Sequence, residues 1–177
     1  DDGSCCIELW GTCYNIEETT EITLTFQNLE GSIPASIGNL EELRILRLEG
    51  NSLTGSIPDE ITTLQHLKIL KLQENLLTGP IPNDIGLLTN LDSLWVNDNQ
   101  LEGSIPQSIT NLNSLGFLRL NENNLTGTIP SNIGDLSNLQ VLRLNLNNLS
   151  GEIPESITNL TKLKRLYISD NNLSGEI

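Results

Sequence analysis

The chain has 177 residues, 37% of them hydrophobic, and a formal net charge of −14 at pH 7. This apolar content is ordinary for a single globular domain, and no apolar run is long enough for the segment to insert into a membrane. So acidic a chain is not expected to bind nucleic acid, whose phosphates require a basic surface. The charge favours a partner that is not strongly acidic overall.

The first 15 residues contain all three cysteines, within the sequence CCIELWGTC. Three clustered cysteines and the single histidine of the chain do not match the ligand spacing of zinc, so we expect no metal site and no cofactor. An odd number of thiols leaves at least one cysteine without a partner inside this segment. We expect Trp10 to cover the open end of the core that follows.

From Ile16 to Ile177, a 24-residue pattern recurs without insertion or deletion, as six full copies and one partial copy. Its strongest letters are two alternating leucines, an asparagine, a glycine and an Ile-Pro pair, as in the sequence LRLNENNLTGTIP of residues 118–130. Self-similarity at this period predicts a solenoid of stacked units. One unit is too small to bury its own apolar side, so it is stable only against a neighbour.

Within each copy, the letters predict a short strand, a bend and a turn. The alternating L-x-L directs its leucines inward and the residue between them outward, and each strand is expected to pair in parallel with the next. The asparagine can be buried only if its amide is hydrogen-bonded, so we expect it to bond to the backbone of the bend. The glycine and proline columns indicate turns rather than a phosphate site. The asparagines are Asn51, Asn75, Asn99, Asn123, Asn147 and Asn171.

This pattern resembles the plant-type leucine-rich repeat, with the consensus L-x-x-L-x-x-L-x-L-x-x-N-x-L-x-G-x-I-P-x-x-I/L-G-x-L, over residues 16–177. The resemblance implies an α/β repeat solenoid: a right-handed leucine-rich repeat superhelix with a parallel concave sheet, short second strands, and a convex side of 3-10 helices and loops. The family includes receptor-kinase ectodomains and polygalacturonase-inhibiting proteins. It therefore also implies a binding module that is secreted or lies on the extracellular side of the plasma membrane.

The resemblance extends to residues 1–15, where C-C…W-x-G-x-x-C is similar to part of the family's cysteine-containing N-terminal cap. It implies a disulfide between Cys6 and Cys13. In the family, the first cysteine of such a doublet pairs with a cysteine farther upstream, which this chain lacks. Cys5 is therefore expected to have a lost or remote partner, to pair with another chain, or to be a free thiol.

Solenoids bind partners through the outward positions of the concave strands. The residues between the paired inward leucines form a row that we name the basic stripe: Arg47, Lys71, Trp95, Arg119, Arg143 and Tyr167. Phe117 lies in an apolar column on one side, with Ile45, Ile69 and Val141, all expected to face solvent. On the other side, three residues after the stripe, the acidic column contains Glu74, Asp98 and Glu122. These residues are the candidate ligand-binding site.

Eight of the nine Lys and Arg residues lie in the five columns of this face, with seven of the 23 acidic residues. One explanation is a lattice of surface ion pairs, each contributing less than about 1 kcal/mol. The other is a binding surface, since arginine beside exposed aromatic residues is typical of protein interfaces.

We expect recognition of a protein or peptide partner. The alternative is an acidic, pectin-like polysaccharide, held by carboxylate contacts to the basic stripe, although the acidic column disfavours a polyanion. Ice binding is a minor alternative, because hydroxyl side chains recur in one row, which Glu102 interrupts: Thr54, Thr78, Thr126, Ser150 and Ser174. We expect no enzyme and no catalytic residue, because His66, the only histidine, has no fixed acid or nucleophile partner in the sequence.

Four N-x-S/T sequons are candidates for N-glycosylation: Asn124, Asn148, Asn159 and Asn172. Asn124, Asn148 and Asn172 share one phase of the repeat and should line one flank. The sequence stops at Ile177 in mid-repeat without a capping segment. This predicts a fragment or shortened variant, or self-association through an uncapped C-terminal end.

Overall fold

A computed structural model describes residues 6–175, which stack as a repeat solenoid around one continuous core. The strands of the cap are β1 (Cys6–Leu9) and β2 (Thr12–Asn15). Seven strands form the long sheet of the described residues: β3 (Glu21–Thr23), β5 (Ile45–Arg47), β7 (Ile69–Lys71), β9 (Ser93–Trp95), β11 (Phe117–Arg119), β13 (Val141–Arg143) and β15 (Arg165–Tyr167).

Each repeat also contributes a second strand and most contribute a 3-10 helix. The second strands are β4 (Glu30–Ser32), β6 (Ser52–Ser56), β8 (Leu76–Thr78), β10 (Glu102–Ser104), β12 (Asn124–Thr126), β14 (Ser150–Glu152) and β16 (Asn172–Ser174). The helices are η1 (Ala35–Asn39), η2 (Asp59–Thr63), η3 (Ile85–Leu87), η4 (Gln107–Asn111), η5 (Ile133–Asp135) and η6 (Glu155–Asn159).

The long sheet is parallel, and equivalent residues of successive repeats lie side by side. Leu46 is in register with Leu70, and Leu118 is in register with Leu142. These leucines are fully buried. Because each repeat buries its leucines only against its neighbours, the sheet and the core extend together, as the L-x-L pattern predicts.

The asparagine of each repeat satisfies backbone groups of its own repeat and of the preceding one, as expected. Asn123 Oδ1 accepts a hydrogen bond from the backbone N–H of Leu101 at 2.9 Å. Its Nδ2 donates to the carbonyl oxygens of Val96 at 3.0 Å and Leu120 at 3.2 Å. A buried polar side chain therefore links two repeats without leaving its own amide unsatisfied.

The second strands form three separate small sheets in the described residues, β4-β6-β8, β10-β12 and β14-β16, all with parallel pairing. The glycine of each turn has a positive φ, for example 74° at Gly55 and 77° at Gly103. Glycine adopts this left-handed backbone without the steric cost of a Cβ. The predicted second strands therefore exist, but they do not form one continuous flank.

The N-terminal segment is an antiparallel hairpin of β1 and β2, closed by a disulfide between Cys6 and Cys13. Leu9 is fully buried, and the partly buried Trp10 packs against the core. The predicted disulfide is confirmed. Cys5 lies outside the described residues, so the alternatives for its thiol stay as predicted.

At the other end, β15 packs against a repeat on one side only. Leu166 is 41% exposed there, whereas its equivalent Leu142 is fully buried. Self-association through this end stays a prediction. Among residues 6–175, no helix has the length and apolar character needed to cross a membrane.

Candidate binding face

The register of the long sheet brings the basic stripe into one row. Arg47 lies beside Lys71, and Lys71 lies beside Trp95. Trp95 is followed by Arg119 and Arg143, and the row ends at Tyr167. Neighbouring strands are about 4.8 Å apart, so the six side chains share one surface, as the sequence predicts.

Stacking on aromatic rings orders three of the four cations of the stripe. Lys71 Nζ lies 3.7 Å from the ring centroid of Trp95, and Arg119 Cζ lies 3.6 Å from the same centroid. The two cations come from the strands on either side of β9. Arg143 Cζ lies 4.7 Å from the ring centroid of Tyr167. Each contact contributes about 0.5–2 kcal/mol, depending on its exposure, so the row is partly pre-ordered before any ligand binds.

The lattice of surface ion pairs, one of the two explanations that the sequence left open, is not formed among the described residues. Within residues 6–175, one acid–base pair lies within 4.0 Å, between His66 Nε2 and Glu42 Oε1 at 4.0 Å, and it lies outside the stripe. Instead, Lys71, Arg119 and Arg143 stack on aromatic rings, and Lys164 Nζ donates to Gln140 Oε1 at 3.0 Å. Their positive charge is therefore available to an anionic group of a partner.

Burial and neighbouring positive charge both lower the pKa values of two cations in the basic stripe. The pKa of Lys71 is lowered by burial first, then by the charges of Arg47 and Arg119, while Glu49 opposes them. The pKa of Arg119 is lowered by burial and by two neighbouring guanidinium groups, those of Arg143 and Arg165. A ligand anion placed here would relieve this repulsion.

A column of amide side chains lies next to the stripe, two residues farther along each repeat, and three of these side chains are buried. Gln73 and Asn97 are 8% exposed, and Asn121 is 4% exposed. Their side-chain carbonyl oxygens have no hydrogen-bond partner in the described part of the chain. The sequence marks this column only as polar, because its burial depends on how the long side chains of the stripe lie across it.

The acidic column is positioned by left-handed backbone. Its residues and their equivalents in other repeats have φ between 53° and 57°: Phe26, Glu74, Asp98, Glu122, Leu146 and Asp170. Gly50 occupies the same position with φ 68°. Left-handed backbone is uncommon for residues with a Cβ. In the sequence, Gly50 was the one residue of the column that indicated this backbone conformation.

The apolar column is less exposed than the sequence predicts. Val141 is only 5% exposed, and Phe117, Ile45 and Ile69 are half-buried. Side chains of adjacent strands cover one another where the sheet is closely spaced, so alternation alone overestimates exposure. The prediction that Val141 faces solvent is therefore wrong.

The remaining predicted positions lie away from the concave face. The sequon asparagines are exposed: Asn124, Asn148, Asn159 and Asn172. The hydroxyl row is also exposed, but it is divided among the three small second sheets, and Glu102 lies in β10 of the middle sheet. Among the described residues, no three His, Cys, Asp or Glu side chains cluster in a way that could hold a metal.

Comparison with known families and structures agrees with this architecture. Two leucine-rich repeat models match the chain, one described as "Leucine-rich repeat region" over residues 23–124 and one as "Leucine rich repeat" over residues 113–173. No protein in a search of curated sequences matches. A plant ice-binding protein is similar in structure, with 28% identity and a TM-score of 0.64 over 89% of this chain and 66% of that chain.

Plant receptor ectodomains are more similar to this chain, in sequence and in structure, than the ice-binding protein is. The ectodomain of the receptor kinase GASSHO1/SCHENGEN3 from Arabidopsis thaliana, solved with CASPARIAN STRIP INTEGRITY FACTOR 2, is 41% identical, with a TM-score of 0.81 over 82% of this chain and 18% of that chain. The Arabidopsis receptor kinase HAESA, solved with the peptide hormone IDA and the co-receptor SERK1, is 32% identical, with a TM-score of 0.78 over 89% of this chain and 30% of that chain.

A third structure matches over most of its own length. Pollen Receptor Kinase 3 is 31% identical, with a TM-score of 0.80 over 97% of this chain and 80% of that chain. By contrast, this chain spans less than a third of the GASSHO1/SCHENGEN3 and HAESA ectodomains. The family matches cover residues 23–173, and the similar structures are plant receptor ectodomains. The chain therefore belongs to the leucine-rich repeat proteins and is similar to the plant-type receptor ectodomains among them.

Proposed function

We propose that this chain is a non-catalytic extracellular module that recognises a protein or peptide partner through its concave face. One observation carries the proposal: in residues 6–175, the cations of the basic stripe have no carboxylate within 4.0 Å, and three of them, Lys71, Arg119 and Arg143, are ordered by aromatic stacking. A row of ordered, uncompensated charge with aromatic residues is the chemistry of an interface centre. Trp95, Arg119 and Arg143 form that centre.

The neighbouring columns favour a partner with mixed polarity. Beside the stripe lie buried amides with unused carbonyl oxygens, at Gln73 and Asn97 among others, and beyond them lies the acidic column. A polypeptide offers backbone N–H donors, carboxylates and cations together. The receptors that are similar in structure include one solved with a peptide hormone, which supports the same class of partner for this chain.

Affinity capture tests the proposal. The native chain, immobilised, is expected to retain partners from the extracellular fluid of the source organism, and Trp95→Ala should retain at least tenfold less, because it removes the ring on which two cations stack. Ser114→Ala, at an exposed position outside the concave columns, serves as the control. Equal recovery of every partner by the Trp95→Ala chain would contradict a concave site.

An acidic polysaccharide is the second candidate, and the absence of ion pairs to the stripe favours it. Titration with polygalacturonate at low salt separates the two candidates. Binding that weakens with added salt and is lost in the double variant Arg119→Ala and Arg143→Ala would support the polysaccharide. No binding at low salt would eliminate it and leave the polypeptide partner.

A further inference from the structure

The strand β15 is one edge of the long sheet in the described residues, and backbone groups on its outer side are unpaired there. In the preceding repeat, the N–H of Leu144 donates to the carbonyl oxygen of Tyr167 at 2.8 Å, and the carbonyl oxygen of Gln140 accepts from the N–H of Lys164 at 2.8 Å. The equivalent groups one repeat farther along are the N–H of Ile168 and the carbonyl oxygen of Lys164. Neither has a hydrogen-bond partner among residues 6–175. Such groups on an edge strand are a template for pairing with another strand.

The same edge exposes apolar side chains. Leu166 is 41% exposed, whereas the equivalent leucines of β5, β7, β9, β11 and β13 are buried. Beside it lies an open cavity lined by Ile153, Ile168 and Leu173, among others. The opposite end of the described stack differs, because the hairpin of β1 and β2 covers it and buries Leu9 completely. Apolar surface associates with apolar surface, which favours contact between two like ends over contact between unlike ends.

We propose that β15 pairs with β15 of a second copy of this chain, antiparallel and about a two-fold axis at Leu166. In this register Leu166 lies opposite Leu166 of the second copy, and Lys164 lies opposite Ile168. The carbonyl oxygen of Lys164 in each copy then accepts a hydrogen bond from the N–H of Ile168 in the other. The two seven-stranded sheets become one continuous sheet. The contact uses the same surface of both copies, so it closes as a dimer.

Two outward side chains of β15 complement each other in this register. Arg165 is exposed and has no carboxylate within 4.0 Å among the described residues, and Tyr167 is 43% exposed. Arg143 covers the Tyr167 ring from β13, with its Cζ 4.7 Å from the ring centroid, so the other face of the ring is turned toward the free edge. Residues directly opposite each other in antiparallel strands have Cβ atoms about 4.5–5.5 Å apart. Arg165 of each copy can therefore stack on Tyr167 of the other, twice in one dimer.

The lysines near this edge do not oppose the contact. Lys162 Nζ donates to Asn138 Oδ1 at 2.6 Å, and Lys164 Nζ donates to Gln140 Oε1 at 3.0 Å. Both ammonium groups are thus held over the preceding repeat, away from the second copy. Because the axis is perpendicular to the sheet, the two basic stripes face the same side, and the dimer presents two copies of the concave face. The dimer itself does not rest on the proposed function.

Sedimentation of the whole chain over a range of micromolar concentrations tests the dimer. The native chain should show a monomer–dimer equilibrium without larger species. Leu166→Lys should abolish the dimer, because it places two ammonium groups at the axis, whereas Leu87→Lys, at a leucine 53% exposed in η3, should dimerise as the native chain does. Arg165→Ala should weaken dimerisation at least tenfold, because two stacking contacts are lost. Arg44→Ala, at an exposed position before β5, should leave it unchanged.

Hydrogen exchange tests the strand pairing directly. The backbone amide of Ile168 should exchange slowly in the dimer and rapidly in the monomeric Leu166→Lys chain. The amide of Leu144, which is bonded within the chain, should be protected in both, which also shows that the variant is folded. A monomer at every concentration, or rapid exchange of the Ile168 amide in a dimer, would overturn the proposal. So would growth beyond the dimer, which is the result expected of head-to-tail stacking.

Discussion

At the scale of single residues, the stack depends on buried asparagines as much as on leucines. Asn123 is 8% exposed and bonds to backbone groups before and after strand β11. A polar side chain in an apolar core is unfavourable unless all its groups are paired. Because the partners belong to adjacent repeats, each asparagine fixes the spacing between two units.

Replacing one of these asparagines should therefore be costly. We expect Asn123→Ala to lower the free energy of unfolding by about 1–3 kcal/mol, because it leaves the buried N–H of Leu101 without a partner. The carbonyl oxygens of Val96 and Leu120 lose one donor but keep the amides of Asn99 and Asn147. Urea unfolding measures the change. Gln100→Ala, at an exposed position of the preceding repeat, should change stability by less than about 0.5 kcal/mol. Equal effects of the two substitutions would contradict the account.

The titration of Lys71 tests the electrostatics of the stripe. Its pKa is lower in the folded chain, so the contribution of this amine to stability is fully present above its unfolded pKa and is lost as the pH falls through the folded pKa. We expect Arg47→Gln to move the pKa of Lys71 part of the way back toward the ordinary lysine value, because burial, the larger cause, remains. NMR titration of the Lys71 side chain measures this. An unchanged pKa would show that Arg47 does not act on Lys71.

At the scale of elements, the convex helices approach one another closely at glycine. Gly86 in η3 lies against η4, and its backbone N–H donates to Ser108 Oγ at 3.4 Å. A Cβ at Gly86 would overlap the carbonyl oxygen of Ser108. The backbone of the next repeat cannot yield as a flexible side chain can, so the glycine sets the distance between neighbouring repeats.

We expect Gly86→Ala to destabilise the chain by about 1–3 kcal/mol through overpacking. Gly116→Ala is the matched control, since the nearest atom to its Cβ is Asp92 Oδ1 at 3.2 Å, on a side chain that can move. That change should stay within about 0.5 kcal/mol. Urea unfolding of both variants gives the comparison, and a Gly86→Ala chain as stable as Gly116→Ala would exclude a tight approach.

The order of the elements could be predicted from the repeat. The strand, the asparagine bend and the glycine turn each follow from a residue type at a fixed position of the repeat, because the equivalents of Leu118 and Asn123 have the same surroundings in each copy. The division of the second strands into three sheets was not predictable, since it depends on small differences in pairing. The left-handed backbone at Asp98 was marked only by Gly50 in the same column.

The candidate face could be predicted only in part. The repeat phase places Arg47, Lys71 and Arg119 in one row, and the register agrees. Whether those cations meet carboxylates or aromatic rings depends on side-chain rotamers, which a linear pattern does not encode. The burial of Asn97 and Asn121 also depends on side-chain rotamers, those of the long side chains that lie across them. The chemistry of the site therefore needed the structure, although its location did not.

At the scale of the whole molecule, charge is divided between surfaces. Eight of the nine Lys and Arg residues lie on the concave face, and Lys162 is the exception. Lys162 Nζ donates to Asn138 Oδ1 at 2.6 Å, off that face. A chain of net charge −14 thus presents one basic row on a strongly acidic body. Long-range attraction should orient an anionic group of a partner toward this row.

The most direct test compares two single charge removals. The affinity of the captured partner is measured by calorimetry for the native chain, Arg143→Ala and Lys162→Ala. Both variants change the net charge equally, but only Arg143 lies in the basic stripe. The account predicts at least a tenfold loss for Arg143→Ala, as for an interface residue costing about 1.4 kcal/mol or more, and affinity near that of the native chain for Lys162→Ala. Equal losses, or a loss confined to Lys162→Ala, would contradict a concave binding site.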